Sequence, residues 1–171
     1  MSTRLNSNLP PHSRAWVYQS SRPFSDAEAI IIVDKIKAFV NQWTAHKLDV
    51  AGAGYLLHNR FVVLMADESN VGVSGCSVDS SVHFIRNLGQ EFHTNFFDRW
   101  LIAYKMHDEI HTAPRAEFEK LVQEGIVTDD THVFNNLVQT KGELESKWLV
   151  PYKDSWLKNM AAAHTSFNSI L

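Results

Sequence analysis

Leu48-Asp-Val-Ala-Gly-Ala-Gly-Tyr-Leu-Leu-His58, then Asn59, then Arg60-Phe-Val-Val-Leu-Met-Ala66: these are two β-rich runs separated by a turn signal. The pattern predicts a β-hairpin with its turn near Asn59. Gly52 and Gly54 interrupt the first run and predict a bulge or a close approach of backbone. Upstream, Ser25-Asp26-Ala27-Glu28 forms a capping box, in which the Ser hydroxyl takes an orphan N–H and Glu28 reaches back to the cap. The helix it opens carries Ile32, Ile36, Phe39 or Val40, and Trp43 on one stripe. Before it, Ala15 to Ser20 reads as a short strand. Downstream, a helix from about Ser80 buries Val82, Ile85, Leu88 and Phe92, and Phe96 to Met106 supplies another strand. The order β-α-β-β-α-β over residues 15 to 106 predicts an α+β protein with a ferredoxin-like core. In that reading the first and third strands are parallel neighbours at the sheet centre.

The flanks read differently. Residues 1 to 14, with Pro10-Pro11 and many small polar groups, predict a flexible N-terminal arm. Residues 107 to 171 form a small mixed C-terminal extension, expected to pack on the core. In it, Ile110 to Thr112 returns against Leu101 to Lys105, and Pro114 opens a helix to Gln123 that Gly125 ends. Thr131 to Asn135 is a short strand, Thr140 to Glu143 starts a helix, and Tyr152, Trp156 and Met160 form one face beyond Pro151.

The bulk composition excludes several classes. The chain has 171 residues, 44% of them hydrophobic and 20% charged, with 10 Phe and 5 Trp, enough to bury a core. A net charge of -3 gives no basic face for nucleic acid. No apolar run approaches the ~20 residues that span a bilayer, so no membrane insertion is expected. A single Cys forms no internal disulfide, and the first residues lack a signal-type apolar stretch. The expected location is the cytoplasm.

Chemistry concentrates in Asp67-Glu-Ser-Asn-Val-Gly-Val-Ser-Gly-Cys-Ser-Val-Asp79, which joins the second hairpin strand to the next helix. With strands one and three parallel, this loop and Ser20 to Ser25 lie side by side, each at a helix N-terminus that favours an anion. The ligand-binding candidates are Arg22, Ser25, Asp67, Glu68, Ser74, Ser77 and Asp79. The competing reading makes the serines caps and pairs Arg22 with Asp67 or Glu68. Cys76 is the candidate nucleophile, since a helix N-terminus stabilises a thiolate. His83 stands seven residues on, about 10.5 Å along a helix, and pairs more readily with Asp79. A small buried cysteine is the alternative. Asp67, Glu68 and Asp79 offer oxygens to Mg²⁺, but adjacent strand residues face opposite ways. His107-Asp-Glu-Ile-His111 lacks the zincin order, and its flanks place it on a hairpin tip. No metal is assigned, and the cofactor is left unknown.

Trp16-Val-Tyr-Gln-Ser20, Gln42-Trp-Thr-Ala-His46, the 67–79 loop, Phe134-Asn-Asn-Leu-Val-Gln-Thr140 and Lys153-Asp-Ser-Trp156 together resemble a full-length, uncharacterised bacterial family often labelled ABC transporter ATPase. The resemblance implies ATP hydrolysis on a transporter. A P-loop requires Gly followed by Lys-Ser or Lys-Thr, and no such triplet stands in this chain. The leading expectation is a small anionic ligand bound at adjacent strand-to-helix loops, with thiol chemistry at Cys76. The alternative is a non-catalytic module for a protein partner, using the sheet face or the C-terminal unit with Trp148 and Trp156. A transporter-associated ATPase ranks third, and the oligomeric state is left open.

Overall fold

β3, Phe61–Ala66, is buried at every residue, and the larger part of the protein is organised around it. The structure, a computed structural model, describes residues 5, 7–45, 51–67, 69 and 75–158, and for residues 44, 45 and 75–77 the backbone only. Two units are distinguished. The larger holds residues 4–98 and 136–145, and the smaller holds 1–3, 99–135 and 146–171.

In the larger unit the order is β1 (Arg14–Gln19), α1 (Asp26–Ala45), β2 (Gly52–Leu57), β3 and α2 (Gly75–Glu91). The sheet order is β1-β3-β2, with both pairs antiparallel. β1 and β2 therefore run the same way, joined by the α1 crossover, and β3 inserts between them. The hairpin turn is tight, with His58 and Asn59 both at positive φ, 53° and 48°. One face of the sheet, with Val62 and Leu64, packs on Ile32, Ile36 and Val40 of α1 and Ile85 and Leu88 of α2. Each such side chain contributes about 1.5–3 kcal/mol on burial. Gly54 permits the approach: a Cβ there would collide with Ile36 Cγ2 and lie 3.0 Å from Val40 Cγ2.

The α+β class stands, but two topological expectations are corrected. β1 and β3 are antiparallel, because the hairpin reverses the chain before it re-enters beside β1. The fourth strand, β4 (Leu101–Met106), does not join this sheet. A two-residue turn, His107 and Asp108 at φ 48° and 66°, closes it against β5 (Glu109–Pro114), and its other edge takes β6 (His132–Phe134). Both edges are thus filled within the smaller unit.

That unit has the sheet order β5-β4-β6-β7, where β7 is Leu149–Pro151. α3 (Arg115–Gln123) puts Phe118 against Ile102, Tyr104 and Val133, with Val127, Tyr152 and Leu157. Gly125, at φ 71°, ends α3, donating to Val122 O at 3.1 Å. β7 has no counterpart in the sequence reading, since three residues carry too little pattern and its partner β6 is distant in sequence.

The segment read as a loose arm is tied down over residues 7–14. Lys141 Nζ, at the start of α4 (Lys141–Lys147), donates to the carbonyls of Ser7 (3.1 Å) and Leu9 (2.8 Å). Lys141 N and Gly142 N donate to Ser13 O and Pro11 O, and Ala15 N donates to Gln139 O. Residues 136–145 thereby complete the larger unit. Among the described residues no helix is long and apolar enough to cross a membrane.

Candidate functional site

The sheet register decides which predicted residues can meet. Gln19 pairs with Phe61, and Arg14 with Ala66. The loop after β1 therefore lies at one end of the sheet and the loop after β3 at the other, about 17 Å apart along a six-residue strand. Arg22 and Ser25 are not brought together with Asp67, and the side-by-side anion cradle expected from parallel strands is not formed.

At the first end the polar groups bond to one another. Arg22 grips Glu28 through Nη1 (3.0 Å) and Nη2 (2.6 Å), and Nη2 also donates to Phe92 O at 2.6 Å. Its carboxylate partner is Glu28 rather than Asp67, the other candidate among the described residues. The capping box forms as read: Ser25 N donates to Glu28 Oε2 at 2.8 Å, and Glu28 N donates to Ser25 Oγ at 3.3 Å. Arg22 and these bonds hold the Glu28 carboxyl down at about 2. Alongside, Asn95 N donates to Ser21 Oγ, and hydroxyl contacts run from Ser21 to Thr94 (3.0 Å) and from Thr94 to Ser20 (2.6 Å). Ser20 Oγ then donates to Arg22 O at 2.7 Å. Directed in that order, each hydroxyl accepts from the one before and donates onward, with Ser20 Oγ also accepting from Arg22 N at 3.4 Å, a chain that polarises along its length. The network fastens the end of α2 to the start of α1.

At the opposite end Asp67 meets two residues the sequence reading did not single out. Ser69 Oγ lies 2.5 Å from Asp67 Oδ1 and 2.7 Å from His12 Nε2, and His12 Nε2 is 3.6 Å from the carboxylate. The Ser69 hydroxyl and amide hold Asp67 below its usual range, with a smaller contribution from His12. This is not a nucleophile triad. The hydroxyl bridges acid and imidazole, whereas acyl-transfer chemistry needs the imidazole between hydroxyl and acid. Glu68 and Ser74 lie outside the described residues. α2 begins at Gly75, five residues before the expected start, so Cys76 and Ser77 stand in its first turn. Their side chains also lie outside the described ones. The early start was hidden because this turn is made of small residues without apolar periodicity.

Asp79 lies in a third place. An open groove of about 730 Å³ runs along α2, lined by Phe39, Asp79, Val82, His83, Phe84 and Arg86. A smaller hollow of about 360 Å³ shares Phe39 and Phe84 and continues past Lys35 and Gln42. Phe39 and Phe84 stack face to face, centroids 4.3 Å apart and 8° from parallel. The array extends through Trp43, 5.5 Å from Phe39, to Trp16 at 5.8 Å and the Arg14 guanidinium 4.9 Å from the Trp16 ring. The side chains of Asp79, His83 and Asn87 make no hydrogen bond or ion pair among the described residues, whereas Lys35 is held by Glu91 at 2.9 Å. The available signal was the choice of Phe39 or Val40 for the α1 stripe. Val40 enters the core, and Phe39 turns to the groove.

His107 sits at the β4–β5 turn and His111 on β5, its ring 5.7 Å from that of Tyr104. Among the described residues no group of three His, Cys, Asp or Glu side chains is placed to hold a metal. Trp148 is buried against Phe134 at 5.0 Å, and the Trp156 indole nitrogen is buried without a hydrogen-bond partner among the described residues. Set against known proteins, the chain matches no protein-family model, no curated protein and no solved structure.

Proposed function

We propose that this protein is a non-catalytic interaction module that binds a protein partner through the α1/α2 groove of the larger unit. The Phe39–Phe84 stack on the groove floor carries the reading. Protein interfaces are organised around desolvated aromatic anchors inside a polar rim, and here the rim is Asp79, His83, Arg86, Asn87 and Gln42. The groove is open rather than enclosed, which suits a side chain presented by another protein better than a small molecule buried over most of its surface. The sheet face is a weaker choice, because β3 is covered on both sides.

A photo-crosslinking residue placed at His83, compared in cells with one at Lys37 on the outer face of α1, tests the reading. A discrete crosslinked species from position 83 and none from 37 is expected. Equal labelling from both positions would remove the groove as a recognition surface.

A second reading keeps a small anion at the N-terminus of α2. It is supported by the absence of an acidic residue from the first turn, where Cys76 and Ser77 stand and Ser74 immediately precedes. Protection of Cys76 from alkylation by inorganic phosphate would favour it. ATP hydrolysis, implied by the family resemblance, ranks behind both for want of a phosphate-wrapping loop, and turnover of ATP by pure protein would restore it.

A further inference from the structure

We infer that the partner on this face is a second copy of the chain, its α2 lying antiparallel to the first about a two-fold axis near Val82 and His83. The inference rests on the interaction reading above and names its partner. A two-fold interface must be self-complementary: each residue contacted in one copy must itself make the reciprocal contact. α2 meets this condition. Asp79 and Arg86 are two helical turns apart on one side of the helix, about 10.5 Å along the axis, and the midpoint between them falls at Val82–His83. Antiparallel docking sets Asp79 of each copy opposite Arg86 of the other, giving two opposite-charge contacts from one symmetry operation.

Neither charge is neutralised by an ion pair among the described residues. Asp79 has no cation beside it among the described residues, and Arg86 lies over the Phe97 ring at 5.8 Å with no carboxylate partner. The other charges on the face cancel locally, since Lys35 is bound to Glu91. Between the two charges the face carries Val82 and the exposed His83, with an apolar patch alongside. Val82 and Phe84 are half-buried on α2, Phe39 stacks behind them, and Ile31, 50% exposed, continues the α1 wall one turn beyond Lys35. A face one helix long and two helices wide offers on the order of 500 Å² per copy, at the weak end of specific interfaces. The dimer is therefore concentration-dependent.

Sedimentation of the full chain over about 1–200 µM tests this, with thermal melts confirming that each variant folds. The wild type is expected to pass from one chain to two. Asp79→Arg and Arg86→Asp, each alone, set like charges opposite one another twice and should weaken association at least about tenfold. The double variant Asp79→Arg/Arg86→Asp should restore it, and so should an equal mixture of the two single variants. A chain that stays monomeric throughout, or a dimer indifferent to both single substitutions, overturns the proposal. If position 83 then still crosslinks to a different protein, the second copy is refuted and the interaction reading survives. If it crosslinks no more than position 37, both fall.

Discussion

Arg22 illustrates how a residue's neighbours decide its chemistry. As a sequence feature it is a cation beside a helix N-terminus, suited to an anion. In the structure its guanidinium is bound twice by Glu28 and donates to the carbonyls of Phe92 and Pro23, so its charge is balanced at home. Glu28 in turn serves Arg22 and the Ser25 cap together, and its folded value near 2 lies well below the ~4.3 of an unfolded glutamate. Between those values the unfolded chain binds more protons, so stability contributed by Glu28 is complete above about 4.3 and is lost as pH falls towards 2. Glu28→Gln should therefore flatten the rise of melting temperature with pH across that window and lower the melting temperature at neutral pH. An unchanged acid limb in pH-dependent thermal melts would show that the ion pair is not formed in solution.

At the scale of elements, the helices and the first hairpin were legible because their signals are local. The Ser25–Glu28 box, the Ile32–Ile36–Val40 spacing and the Asn59 turn each lie within a few residues of what they specify. Gly54 was legible as a close approach, though the atoms approached, on Ile36 and Val40, belong to a different element. Gly54→Ala forces α1 from the sheet and should destabilise the protein by about 1–3 kcal/mol in chemical denaturation. A neutral result would mean that the α1–sheet contact is looser than described. β7 and the early start of α2 were missed for opposite reasons. β7 exists only through pairing with a distant strand, and the first turn of α2, Gly75 to Val78, has a single branched apolar residue, too little to mark its phase.

For the molecule as a whole, the order of elements did not determine their assembly. The sequence reading cut the chain after Met106, whereas β4 pairs on both sides with strands that follow it, and residues 136–145 return to complete the larger unit. A fragment of residues 1–106 lacks the backbone partners of Ser13 and Ala15 at Lys141 and Gln139, and the Lys141 ammonium that holds Ser7 and Leu9. It should melt without a cooperative transition, while the full chain melts cooperatively. A fragment melting as sharply as the full chain would show that the returning segment is dispensable.

The candidate site divides along the same line. That Asp67 to Asp79 joins a strand to a helix, that Ser25 caps α1, and that the chain is an α+β protein were determined by the sequence itself, through hydrophobic period, capping chemistry and turn residues acting over short range. That Arg22 and Asp67 stand at opposite ends of the sheet was decided only by strand pairing. So was the meeting of His12 with Asp67 through Ser69, and that of Phe39 with Phe84 across two helices. Pairing direction is a global choice: the local propensities of β1 and β3 are the same whether they run parallel or antiparallel, and only the crossover through α1 and the hairpin behind it distinguish the two.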